Sequence, residues 1–145
     1  MNIKQALKYK KKLASKINEE FNRLSKYNSV EEGVNRVYSA RESMTKWKNL
    51  TDELIDLKTK IHLANASVYH KIFRMSELKS QLSTFKNLDC TEGKFTDRFG
   101  MRGDNPIVKN AEIGILERDL IISSMESEIE KLQEELDQHN ATTTI

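Results

Sequence analysis

Trp47-Lys48-Asn49-Leu50-Thr51-Asp52-Glu53-Leu54-Ile55-Asp56-Leu57-Lys58-Thr59-Lys60-Ile61-His62-Leu63-Ala64 decides the fold class. Trp47, Leu50, Leu54, Leu57, Ile61 and Ala64 follow one another at intervals of 3, 4, 3, 4 and 3 residues. That alternation keeps one face apolar on an α-helix and scatters over both faces of a strand. A helix over 43–64 is therefore expected, with its seam against another helix.

Working outward, residues 3–27 repeat the pattern. Ile3, Ala6, Leu7, Leu13, Ala14, Ile17, Phe21 and Leu24 fall within about 120° of a helical wheel, the width of a core-facing stripe. Lys4, Lys8, Lys12, Lys16, Arg23 and Lys26 gather on the other side. Asn28, Ser29 and Gly33 break the chain between the two helices. Val34, Val37 and Tyr38, within 34–42, fit either a short helix or an extended packing segment. Beyond Ala64, residues 65–70 form the expected tip of a hairpin. A third helix is expected over 72–88, with Met75, Leu78, Leu82 and Phe85 on its seam.

Residues 89–110 differ in kind. They hold Gly93, Gly100, Gly103 and the only proline, Pro106. A stretch of this length inside a compact domain is uncommon unless it is functional or disordered, and a small β-ribbon fits within 94–109. Asn110 has the residue type of an N-cap and opens the expected last helix, which runs to about His139. That helix carries two apolar faces: Ile115, Ile122, Met125, Ile129, Leu132 and Leu136 on one, Ile113, Leu116 and Leu120 on the other. Contacts on both sides imply neighbouring helices or another subunit. The tail, Ala141-Thr142-Thr143-Thr144-Ile145, is polar and β-prone.

The expected architecture is all-α: an elongated antiparallel bundle of about four long helices in a single domain over 1–145, with a functional or oligomerisation loop at 89–110. Composition agrees. The 145 residues hold 5 Gly and 1 Pro, too few for the turns of a sheet-rich fold. Net charge is +2, from 24 Lys and Arg against 22 Asp and Glu, which gives no bulk attraction to a nucleic-acid polymer or an anionic membrane. The single cysteine, Cys90, forms no disulfide within the chain. No apolar run approaches the length of a membrane helix, and the first eight residues lack the apolar core of a signal peptide. A cytoplasmic protein is expected.

Three stretches carry a family resemblance. Ala6-Leu7-Lys8 with Leu13 and Ile17 opens the chain. Leu54, Leu57 and Ile61 lead into Ala64-Asn65-Ala66. Leu136-Asp137-Gln138-His139-Asn140-Ala141-Thr142-Thr143, preceded by Leu132, closes it. Together they resemble the septicolysin-like family of small helical proteins, with its amphipathic first helix, its asparagine turn after the second helix and its asparagine with a threonine pair near the end. The family has tryptophan where this chain has Ala141, and a Gly-Arg turn where this chain has Val68-Tyr69-His70-Lys71. It also carries an arginine-rich extended segment before the last helix, the region of Arg98 and Arg102. The resemblance implies an oligomeric helical bundle with a small β-ribbon. The family's biochemical function is largely unassigned, and the pore formation its name suggests has no support in this sequence.

Catalytic patterns are missing. His62, His70 and His139 are far apart, and no Cys or His pair has metal-ligand spacing. Neither a nucleophile elbow nor a phosphate-binding glycine motif occurs. We expect no enzyme activity and no cofactor. The 94–109 segment offers Lys94, Arg98, Arg102 and Lys109 as cations, with Phe95 and Phe99 to stack on a base. Its glycines would let backbone amides approach a phosphate. These six residues are the expected binding site for a small phosphorylated, nucleotide-like ligand, held without turnover by a homo-oligomer. A virus-encoded sponge against nucleotide immune signalling would work in this way. The alternative is that Glu92, Asp97 and Asp104 neutralise the cations, the phenylalanines plug the bundle, and the chain is an assembly protein with no small ligand. The lysine face of the first helix reads as a solvated surface.

Overall fold

A computed structural model of the chain describes residues 1–96 and 106–145. The fold is all-α with a small ribbon: α1 (Ile3–Asn28), α2 (Ala40–Ala64), a short 3₁₀ turn (Ala66–Val68), α3 (Tyr69–Phe85), β1 (Gly93–Phe95), β2 (Ile107–Lys109) and α4 (Ile115–Thr142). The chain forms two compact units. Residues 1–69 and 137–145 make the first, and residues 70–136 the second.

In the first unit α1 and α2 pack antiparallel. Phe21 lies 5.7 Å from Trp47, centroid to centroid, while the Tyr9 hydroxyl donates to Glu53 further along α2. Ala6, Leu13, Leu57 and Ile61 form the core, and Leu50, Leu54 and Ile145 pack against them. The 3-4 seam of α2 therefore faces α1, as its spacing requires. The α1 stripe is narrower than expected. Ile3, Ala6 and Leu13 are buried, but Leu7, Ala14 and Phe21 stay exposed, because a single partner helix covers only part of a 120° arc.

Polar bonds fix the ends of α1. Asn2 and Gln5 form a capping box: the Gln5 amide donates to Asn2 Oδ1 (2.8 Å) and the Asn2 amide to Gln5 Oε1 (3.0 Å). At the far end, the Arg36 guanidinium donates to the carbonyls of Tyr27 (3.0 Å) and Asn28 (3.2 Å), which have no partner inside the helix. Gly33 turns the connection with φ +83°, a conformation that favours glycine. Residues 34–39 are not helical, and α2 opens at Ala40 rather than near Ser43. The Ser39 hydroxyl accepts from the Glu42 amide (3.3 Å), so the helix opens three residues earlier than expected. The polar tail closes the unit. The Ile3 amide donates to Thr143 O (3.1 Å) and the Ile145 amide to Met1 O (2.9 Å), around an Asn2–Thr144 bridge.

In the second unit three ion pairs join α3 to α4: Lys71–Glu135 (2.8 Å), Arg74–Glu128 (2.6 Å) and Lys86–Glu126 (3.6 Å). Their order along the two helices shows them antiparallel. Leu78, Cys90, Leu132 and Leu136 are buried. The connection after α2 is shorter than expected, because the 3₁₀ turn leads directly into α3 at Tyr69, and α3 ends at Phe85. The last helix begins at Ile115, not at Asn110. Lys109 pairs with Gly93 in the ribbon, and residues 110–114 continue as a non-helical connection. The first bond of α4 runs instead from the Arg118 amide to Gly114 O (2.9 Å). Of its two expected apolar faces, the first is covered from Ile122 to Leu136. Ile115, Leu116 and Leu120 are exposed.

No helix among the described residues is long and apolar enough to cross a membrane.

Candidate functional site

Pairing in the ribbon is antiparallel, with Gly93 opposite Lys109, Lys94 opposite Val108 and Phe95 opposite Ile107. Opposed residues share a face and neighbours along a strand do not. Lys109, Ile107 and Phe95 therefore occupy one face, and Lys94 and Val108 the other. The ribbon does not bring its two lysines together. Arg98, Phe99 and Arg102, the other expected ligand residues, lie outside the described residues. Gly93 has φ +117°, and a Cβ there would meet nothing within 4 Å, so glycine is required by conformation rather than by space.

Asp89 lies at the base of the ribbon. Its carboxylate accepts from the Thr91 amide (3.0 Å) and from the Thr91 hydroxyl. These bonds, together with the positive charge of Lys109, hold its carboxyl below the ordinary aspartate value. A depressed folded value stabilises this turn above the ordinary aspartate pKa, and the contribution is lost as pH falls through the depressed value. In a carbon-detected NMR titration Asp89 is expected to titrate below a normal aspartate, and Thr91→Ala should return it towards the normal value. An unshifted midpoint in the parent protein would refute the assignment.

Between this turn and the start of α4 is a cavity of about 720 Å³, within the range of small-molecule sites. Leu88, Cys90, Ile115 and Leu116 give it apolar wall. Its one cation among the described residues is Arg118, whose side chain is 25% exposed. The guanidinium donates to Leu88 O (3.5 Å) and to Asp119 Oδ1 (3.3 Å). Ile115, Leu116 and Glu117 in the first turn of α4 also line the cavity, and a helix leaves the amides of that turn without an internal acceptor. Asp89, Glu92 and Glu117 line it too, so its chemistry is mixed: an apolar wall, one guanidinium, helix amides and three carboxylates. Sequence reading missed Arg118 because it placed the helix start at Asn110, which made residue 118 an ordinary position in the third turn. Gly114, immediately before the periodic residues, was the available boundary signal.

No family model matches the chain, no curated protein matches it, and no solved structure matches it.

The histidines have local roles. The His62 Nδ1 meets the Tyr69 hydroxyl, and His139 Nδ1 lies 3.1 Å from Thr143 Oγ1. The Cys90 thiol is buried. Among the described residues no cluster of three His, Cys, Asp or Glu side chains is placed to hold a metal ion.

Proposed function

We propose that this chain is a non-catalytic, homo-oligomeric binding protein that captures a small anionic, nucleotide-like ligand at the base of its ribbon. The cavity beside Arg118 carries this reading. Its size suits a nucleoside-sized group, its apolar wall suits a base or sugar, and Arg118 with the first amides of α4 suits one phosphate. The neighbouring carboxylates disfavour a multiply charged group inside the cavity itself. Further phosphates would depend on Arg98 and Arg102 with one of the two ribbon lysines, Lys94 or Lys109, which the register sets on opposite faces. The biological role we attach to this reading is sequestration without turnover, as in a virus-encoded sponge against nucleotide signalling. The septicolysin-like resemblance enters this proposal only as support for an oligomeric bundle.

Native mass spectrometry of the protein as purified, followed by calorimetry with linear and cyclic nucleotides, tests the reading. An adduct of a few hundred daltons per site is the expected order, with loss of one charge-assisted contact in Arg118→Ala weakening binding about 10- to 100-fold. The Arg98→Ala/Arg102→Ala double variant should weaken it further. Absence of both adduct and heat, or unchanged affinity in both variants, would overturn it.

The exposed α4 face favours a second reading. Leu116 is 82% exposed and Leu120 72%, so the segment and this face could serve assembly with no small ligand. That reading expects a clean oligomer without adduct, and ribbon variants that change its mass.

A further inference from the structure

The two longest helices carry opposite charge in equal measure. α1 holds eight Lys and Arg against two Glu, and α4 holds eight Asp and Glu against two Lys and Arg. Each helix also exposes one continuous face at 3-4 spacing. On α1 this face is Lys4, Leu7, Lys11, Ala14, Asn18 and Phe21, and on α4 it is Leu116, Leu120, Ser123, Ser127, Glu130 and Glu134; all twelve are exposed. The lysines of α1 make no ion pair among the described residues.

We infer that these two faces are the two halves of one interface, in which α1 of one copy lies antiparallel on α4 of a second copy. The order of residues fixes the direction. Antiparallel, the lysine end of α1 meets the glutamate end of α4: Glu130 falls opposite Leu7, between Lys4 and Lys11, and Glu134 falls beside Lys4. Ala14 meets Ser123, two small residues that allow close approach, and Phe21 meets Leu116. A parallel arrangement would set Lys4 against Leu116 and Lys11 against Ser123 and leave both glutamates facing Asn18 and Phe21. The apolar ends supply the area removed from water, and the charged ends supply orientation and partner choice. Because the two faces differ, each copy offers both, and the contact is head to tail. Such contacts close into rings or continue as filaments. The interface also brings Phe21 of one copy over Leu116 of the second, at the edge of the second copy's cavity beside Arg118. This inference rests on the homo-oligomeric part of the proposed function and not on ligand capture.

The test is charge exchange, read by sedimentation velocity on the full chain. K4E/K11E makes the α1 face acidic, and E130K/E134K makes the α4 face basic. All four positions are exposed, and circular dichroism checks that helix content is kept. Each variant alone is expected to weaken assembly about tenfold or more, since the exposed attractive pairs are lost and turn repulsive. An equimolar mixture should regain the wild-type assembly, because each variant's altered face then meets the other's. If a reversed variant loses helix content, K4Q/K11Q and E130Q/E134Q replace the pair, and both should lower the salt sensitivity of assembly. Reversed variants that assemble like wild type, or a mixture that regains nothing, would overturn the interface and leave the homo-oligomer standing. A wild-type chain that stays monomeric would overturn both, and retention of that monomer on heparin would assign the lysine face to a polyanion instead.

Discussion

Replacing Leu13 with alanine is expected to destabilise the first unit by about 2–5 kcal/mol, the usual cost of truncating a fully buried leucine. Leu13 is 0% exposed and sits in the cluster with Ala6, Leu57 and Ile61. Ala6, Leu57 and Ile61 are held on two packed helices whose backbones cannot close in on the lost volume, so a cavity term adds to the transfer term. Set against the 5–15 kcal/mol that holds an ordinary domain, the loss is large. Urea unfolding followed by the fluorescence of Trp47, the only tryptophan, reports on this unit. Leu116→Ala is the matched control. At 82% exposure it should move the midpoint by no more than about 0.5 kcal/mol in a dilute sample, where copies are apart. Equal effects of the two substitutions would mean that the α1–α2 core is wrongly placed.

Removal of Thr143, Thr144 and Ile145 is expected to cost about 2–4 kcal/mol. Two backbone hydrogen bonds across to the Met1–Ile3 end, at about 0.5–1.5 kcal/mol each, are lost with them, and the partly buried Ile145 contributes up to about 1.5 kcal/mol against the core. The lost partners are specific: the Ile3 amide loses Thr143 O, and Met1 O loses the Ile145 amide. Asn2→Ala is the milder comparison, at about 1 kcal/mol for loss of an N-cap side chain. It also removes the bond from Asn2 Nδ2 to Ala141 O (3.1 Å). The same Trp47 unfolding curve reads both. A truncated chain with an unchanged midpoint would show that the tail pairing carries no stability.

Helical periodicity made most of the architecture legible. The seam from Trp47 to Ala64 encodes its own partner face, and Leu57 and Ile61 are buried where the spacing placed them. Boundaries were less legible, because a cap is a local signal that tertiary pairing can override. Asn110 has the residue type of an N-cap, yet the chain stays non-helical from the ribbon residue Lys109 until Ile115. The width of the α1 stripe misled for a related reason. Sequence shows which residues are apolar but not how many neighbours a helix has, and Leu7, Ala14 and Phe21 stay outside the single-chain core. In the candidate site the cations were legible as residues but not as an arrangement. A period of two sends Lys94 and Lys109 to opposite faces once the register is fixed, and that register depends on which residue pairs with Gly93. The β-prone tail was legible, but its partner was not, since Asn2 and Thr144 are far apart in sequence.

That last pairing also orders events during synthesis. The first unit is discontinuous, with residues 70–136 inserted between its two parts. On a ribosome α1 and α2 emerge early and can form their hairpin through local contacts, which close quickly. The segment that seals the Asn2 end is made after the inserted unit and emerges from the exit tunnel behind it. Until then the edge around Ile3 and Tyr9 lacks Ile145 and its backbone partners, and a nascent chain carries this open edge through the translation of about half its length. Unit-by-unit folding during synthesis therefore cannot finish the first unit first; the part that begins earliest is completed last.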